Sequence, residues 1–68
     1  MTAAEWIAAY AKELGTAPPT EAEFGDLLEL AATAAHSSER IAAPVACWLI
    51  GRAGIEPAEA KRIAEEVG

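Results

Sequence analysis

A chain of 68 residues with a formal net charge of −6 forms one domain with a small hydrophobic core. Its acidic surface repels phosphate groups, so we expect neither a nucleic acid nor an anionic membrane surface as a partner. The single cysteine excludes a disulfide within the chain, and alanine, roughly a quarter of the residues, favours helices.

The first helix is predicted to begin after Thr2 and to end before Gly15. Thr2 and Glu5 form a capping box, in which the threonine hydroxyl accepts from the amide of Glu5 and the glutamate reaches back. Gly15 favours the left-handed conformation that ends helices. Apolar residues recur at helical spacing along one face: Trp6, Ile7, Tyr10 and Leu14.

The second helix has two possible starts. Thr20 and Glu23 form a capping box, and Asp26 offers a later cap. Gly25 between them weakens an uninterrupted helix by up to ~1 kcal/mol. We expect a continuous helix from about Glu21, with a start at Asp26 as the alternative. One apolar stripe is predicted to face the core: Phe24, Leu27, Leu28, Ala31, Ala34 and Ala35.

The third helix is predicted to follow a connection that begins between His36 and Ser38. Pro44 suits its first position, where the missing amide proton is not needed. The helix runs to about Ala53 and ends at Gly54. Because this segment is apolar nearly all round, we predict that it is the most buried helix.

The fourth helix is predicted to begin with Glu56 at the cap, Pro57 in the first turn and Glu59 at the third position. Its predicted inner face consists of Ala60, Ile63, Ala64 and Val67. Four short helices joined by short loops predict an all-α fold, a compact antiparallel bundle that forms a single domain over residues 1–68.

His36, the only histidine, and Arg40 are the candidate polar binding residues. If the second helix continued through the connection, they would lie one turn apart on one face and could receive an anionic group. In the simpler interpretation, His36 satisfies carbonyls at a helix end. Arg40 then pairs with Glu39 or a neighbouring acid, a contact worth ~0–1 kcal/mol when exposed.

Catalysis and metal binding find little support in the sequence. Cys47 lies in the most apolar segment, where a thiol is buried and unreactive, and no third group completes a site with Cys47 and His36. The sequence contains neither clustered metal ligands nor a glycine-rich phosphate loop. We therefore expect no enzymatic activity, no metal and no cofactor.

The two tryptophans, Trp6 and Trp48, lie at helical spacing with other apolar residues, so core positions are the simplest interpretation. A bundle of this size cannot hide two tryptophans completely, so at least one should be partly exposed. Aromatic side chains dominate interaction hot spots. This suggests a homodimer, or a partner bound through the first or third helix.

The cytoplasm is the predicted location. The first residues lack the basic region and apolar run of a signal peptide, and no apolar run approaches the ~20 residues that span a bilayer. A lone cysteine stays reduced in the cytoplasm.

A family resemblance rests on residues 35–44, which read AHSSERIAAP, and on the WLIG sequence of residues 48–51. The ELG sequence of residues 13–15 and the LLELA sequence of residues 27–31 extend it over most of the chain. With these motifs the chain resembles a small all-helical actinobacterial domain family of unknown function. Members occur alone or appended to the C-terminal side of molybdopterin-guanine dinucleotide biosynthesis proteins, the molybdenum cofactor guanylyltransferases.

The resemblance implies an accessory role in molybdenum cofactor maturation, with such a guanylyltransferase as the expected partner. It singles out His36, Arg40 and Pro44, to which the exposed aromatic argument adds Trp48 as a binding residue. Any transferase activity would lie in another polypeptide. The leading hypothesis is a non-enzymatic interaction module, and the alternative is a small-molecule or anion-binding domain that uses His36 and Arg40.

Overall fold

Four α-helices follow one another in the computed structural model, which describes residues 1–67. They span Ala3–Leu14 (α1), Glu21–Ser37 (α2), Ala42–Ala53 (α3) and Pro57–Val67 (α4). Because the described residues contain no strand, the prediction of an all-α fold with four helices is confirmed. Gly68, with which the predicted domain ends, lies outside the described residues.

Local hydrogen bonds fix both ends of α1 where the sequence predicts them. The Glu5 amide donates to Thr2 Oγ1 at 3.1 Å, and the Thr2 amide donates to a carboxylate oxygen of Glu5 at 2.7 Å. The Thr2 amide, and to a smaller extent the Thr2 hydroxyl, lowers the pKa of the Glu5 carboxyl by hydrogen bonding to it. Gly15 follows the helix in the left-handed region, at φ 80°.

The start of α2 is decided by a second capping box. The Glu23 amide donates to Thr20 Oγ1 at 3.1 Å, and the Thr20 amide donates to Glu23 Oε1 at 2.8 Å. The start at Glu21 is therefore confirmed, and the alternative start at Asp26 is wrong. Gly25 lies inside the helix, where a methyl group would meet no atom within 4 Å.

α2 is the central helix, because α3 and α4 both pack against it. Its most buried residue is Leu30, only 2% exposed, which the predicted stripe omitted. Leu28, a member of that stripe, is 60% exposed, so its predicted core position is wrong. Because α3 and α4 both cover α2, its buried face is wide. Compared with the predicted stripe, this face is rotated around the helix towards Leu30 and away from Leu28.

The core is built largely from small residues. Ala11 of α1 and Ala60 of α4 are buried together with Leu30, whereas α3 contributes no buried residue. The prediction that the third helix is the most buried is therefore wrong. Among the described helices, α3 packs mainly against α2, so only one of its sides is covered.

α4 begins at Pro57 as predicted, and the Ala60 amide donates to the Glu56 carbonyl at 2.9 Å. Its predicted inner face is only partly correct. Ala60 is buried and Ala64 is half-buried, but Ile63 and Val67 are exposed, because no further helix covers the outer part of that stripe.

Lys61 of α4 forms ion pairs with two acids of α2. Lys61 Nζ donates to Glu29 Oε2 at 2.7 Å and to Asp26 Oδ1 at 3.1 Å. The hydrogen bond with Glu29, followed by that with Asp26, raises the pKa of Lys61.

Within residues 1–67, none of the helices combines the length and hydropathy needed to cross a membrane.

Candidate functional site

The connection between α2 and α3 is a short turn. α2 ends at Ser37, and Ser38 leaves the helical conformation with φ −136° and ψ −105°. The Ala42 amide then donates to the Glu39 carbonyl at 2.9 Å, which closes the turn that leads into α3. The connection is therefore not a continuation of α2.

His36 and Arg40 do not share a helix face, because α2 ends between them. His36 lies exposed in the last turn of α2, where a basic side chain suits the helix dipole. Arg40 lies exposed in the turn, and no ion pair joins it to Glu39 or to any other part of the described chain. A joint site on one face required a second helix that continued through the connection, and α2 does not. The ion pair of Arg40 with Glu39 or a neighbouring acid, expected in the simpler interpretation, is not found within residues 1–67 either.

Pro44 is the third residue of α3 and not the first, because α3 begins two residues earlier than predicted. The turn at Glu39 already carries the chain into helical conformation at Ala42, so the helix starts before the proline. The first four amides of a helix have no carbonyl partner within it, so the missing amide of Pro44 costs nothing at this position either.

The most prominent feature of α3 is a row of large apolar side chains that face solvent, here called the α3 face. Each member is between 54% and 72% exposed, and the members are Ile41, Val45, Trp48 and Leu49. Their spacing of four, three and one residues places them on one side of the helix. The expectation that at least one tryptophan is partly exposed is thus confirmed, and Trp6 on α1 is exposed as well.

Small residues, with Ile50 as the exception, line the opposite side of α3. That side is half-buried and consists of Ala42, Ala43, Ala46, Cys47 and Ile50. Short side chains allow α3 to approach α2 closely, because the distance between packed helices follows the size of the side chains between them. The position of Arg52, four residues after Trp48, was the available signal that the tryptophan side faces water.

The charge at the α3 face is positive, in contrast to the chain as a whole. Residues 40–55 contain Arg40 and Arg52 and no acidic residue, whereas the whole chain carries −6. The Arg52 guanidinium carbon lies 5.2 Å from the centroid of the Trp48 ring, a cation–π contact worth about 0.5–1 kcal/mol at an exposed site. The face therefore combines an aromatic anchor with basic flanks.

The cations of α4, unlike Arg40 and Arg52, form ion pairs with acidic side chains of the described chain. Arg62 Nε donates to Glu59 at 2.9 Å, and a second guanidinium nitrogen pairs with Glu66 at 2.6 Å. These partners, Glu59 first, raise the pKa of Arg62, and the hydrogen bond from Arg62 lowers the pKa of Glu59. Lys61 is likewise bound to two acids. Both cations of α4 thus have acidic partners, on α4 or on α2, whereas the arginines of residues 40–55 form no ion pair within residues 1–67.

Cys47 lies on the side of α3 that packs against α2 and is half-buried. Burial raises the pKa of its thiol, so the thiol stays protonated and is a poor nucleophile at neutral pH. Within residues 1–67, no three side chains of the metal-binding types come together.

A second exposed apolar row, here called the α1 face, lies on the first helix: Trp6, Tyr10 and Leu14. The rings of Trp6 and Tyr10 lie 5.1 Å apart at a tilt of 32°. Sequence reasoning favoured a core position for Trp6, which is wrong. The buried side of α1 is instead the one that carries Ala11, flanked by the half-buried Ile7.

Two of the open clefts lie between helices near these faces. One, of about 670 Å³, separates α1 from the start of α2 and is lined by residues such as Ile7 and Phe24. The other, of about 310 Å³, lies between the ends of α2 and α4 beside Leu49. Neither cleft is lined by His36 or Arg40, so neither brings the predicted polar pair together.

The whole chain, residues 1–68, matches the sequence model of a domain of unknown function, DUF6457, and the chain therefore belongs to that family. This confirms the resemblance to a small domain of unknown function. No curated protein and no solved structure matches the chain.

Proposed function

We propose that this domain is a non-enzymatic protein-interaction module whose docking surface is the α3 face, with Trp48 as its anchor. The single observation that carries the proposal is the exposure of four large apolar side chains in one row. Monomeric proteins rarely expose extended apolar patches, and such patches mark interaction sites. Tryptophan and arginine are enriched among the residues that dominate binding energy.

The residues expected from the resemblance fit the border of this surface. Arg40 and Pro44 are exposed at the start of α3, and His36 is exposed at the end of α2. Arg40 and His36 would add polar groups beside the apolar row, the usual composition of an interface rim.

As the partner we propose a molybdenum cofactor guanylyltransferase of the same actinobacterial host, as the resemblance implies. The domain would then serve cofactor maturation as an accessory module in the cytoplasm, where Cys47 stays reduced. Support for a non-enzymatic role comes from the raised pKa of that thiol, which makes it a poor nucleophile.

The test is an amide chemical-shift map of the labelled domain, recorded while the host guanylyltransferase is added. Shifts that cluster at Arg40, Pro44 and Trp48 support the proposal. The variant Trp48→Ala should weaken binding by at least about 10-fold, as expected for a hot spot. Leu28→Ala is the matched control, because Leu28 is also 60% exposed but lies on α2. Equal binding by the two variants would refute the assignment of the α3 face.

A second candidate function, anion binding at His36 and Arg40, is favoured by one observation. Arg40 is exposed and has no acidic partner among residues 1–67. An anion that binds only the folded domain raises its melting temperature. Inorganic phosphate should therefore stabilise the domain but not its Arg40→Gln variant. Equal melting shifts for both proteins would exclude this site.

A further inference from the structure

The α1 face and the α3 face carry charges of opposite sign. Glu13 follows Trp6 by seven residues and Tyr10 by three, so it lies on the α1 face. Arg52 follows Trp48 by four residues and lies on the α3 face. Neither charge forms an ion pair within the described part of the chain. Each face is thus an apolar row with one charge that has no ion-pair partner, negative on α1 and positive on α3.

The exposed area of the chain matches what one interface would cover. The accessible surface is 5157 Å². A monomer of this mass is expected to expose about 4,100 Å², so the excess is about 1,000 Å². A stable interface of standard size buries about 800 Å² on each partner. The excess is therefore large enough for one complete interface with a second protein.

We propose that a second copy of this chain covers the α3 face, with the α1 face of each copy packed on the α3 face of the other. This inference rests on the proposed docking role of the α3 face: a second copy covers that face in the isolated chain, and the guanylyltransferase would replace it. Two reciprocal contacts of this kind are related by a two-fold axis, so they close a dimer and leave no open end.

Charge decides between this cross-pairing and the pairing of like faces. Two α3 faces would bring together arginines from residues 40–55, a segment that contains no acid. Two α1 faces would place Glu13 of one copy near Glu13 of the other. Juxtaposed like charges are unfavourable in an interface, whereas the cross-pairing sets Glu13 against a basic face.

The experiment is sedimentation equilibrium of the full chain at concentrations up to about 1 mM, the range of weak association. The unmodified chain is expected to dimerise, and a strict monomer would overturn the proposal. Trp6→Asp and Trp48→Asp should each weaken dimerisation by at least about 10-fold, because each removes an aromatic anchor from both contacts. Leu28→Asp is the control and should dimerise normally. Circular dichroism confirms that each variant is folded.

Mixing the two tryptophan variants separates cross-pairing from like pairing. In a mixed dimer, the intact α1 face of Trp48→Asp meets the intact α3 face of Trp6→Asp, so one complete contact is restored. Like pairing would leave no complete contact in a mixed dimer, but it would leave one in the homodimer of each variant. A mixture of folded variants that stays monomeric, or one variant that dimerises normally, would overturn the proposal.

The two proposals can fail separately. Trp6→Asp leaves the α3 face intact, so it should still bind the guanylyltransferase even though it no longer dimerises. A chain that is monomeric yet binds the enzyme through Trp48 would overturn the dimer and leave the docking function standing.

Discussion

Gly25→Ala tests the continuity of α2 at the position where the sequence allowed two starts. Glycine inside a helix costs roughly 0.5–1 kcal/mol relative to alanine. The added methyl group would meet no atom within 4 Å, so no steric penalty offsets the gain. We expect the free energy of unfolding to rise by about 0.5–1 kcal/mol, which raises the melting temperature of a domain this small by about 2–8 °C.

Thermal unfolding followed by far-ultraviolet circular dichroism measures this change. Gly15→Ala provides the control with the opposite sign, because Gly15 has φ 80° and a side chain in that conformation costs about 1–2 kcal/mol. If α2 instead began at Asp26, residue 25 would precede the helix and alanine would bring no helical gain. An unchanged or lower melting temperature for Gly25→Ala would therefore refute the continuous helix.

Four further predictions concern the core and the titrating groups. Leu30→Ala should cost about 2–5 kcal/mol, enough to unfold much of so small a domain, and urea denaturation will show whether its midpoint falls this far. Lys61 has a raised pKa in the folded state. Its contribution to the free energy of unfolding is therefore present at lower pH and is lost as the pH rises above 10.5, the ordinary pKa of lysine. Lys61→Gln should reduce that alkaline loss, and an unaltered pH profile of unfolding would contradict this. Glu5 has a lowered pKa, so its contribution is lost as the pH falls below the ordinary value of 4.5, and Glu5→Gln should flatten this acid limb. Because burial raises the pKa of Cys47, a thiol reagent should label it more slowly in the folded chain than in urea.

Local chemistry made the helices predictable. The capping boxes at Thr2 and Thr20 act through residues three positions apart, and Gly15 and Gly54 end their helices through their own left-handed backbone. None of these features depends on how the helices pack. The same holds for the absence of strands from residues 1–67, since alanine-rich segments with helical spacing have no competing period-two pattern.

The surface was less predictable, because exposure depends on which helices meet. An apolar helix reads as buried, yet α3 has one main neighbour and turns its small residues towards it. The third helix was therefore predicted to be too buried, and the core position that was the simplest interpretation for Trp6 and Trp48 is wrong for the same reason. The prediction of a joint site at His36 and Arg40 depended on a continuous helix, which the turn after Ser37 prevents.

The exposure of both tryptophans gives the domain its own spectroscopic reporters. Indole emission shifts to shorter wavelength when water is excluded, and each apolar face carries one indole, Trp6 or Trp48. Coverage of either face is therefore visible in the emission of the unlabelled protein, and a phenylalanine at one position leaves the other as the only source of signal. Unfolding, by contrast, further exposes two indoles that are already half exposed, so it shifts their emission in the opposite direction, to longer wavelength.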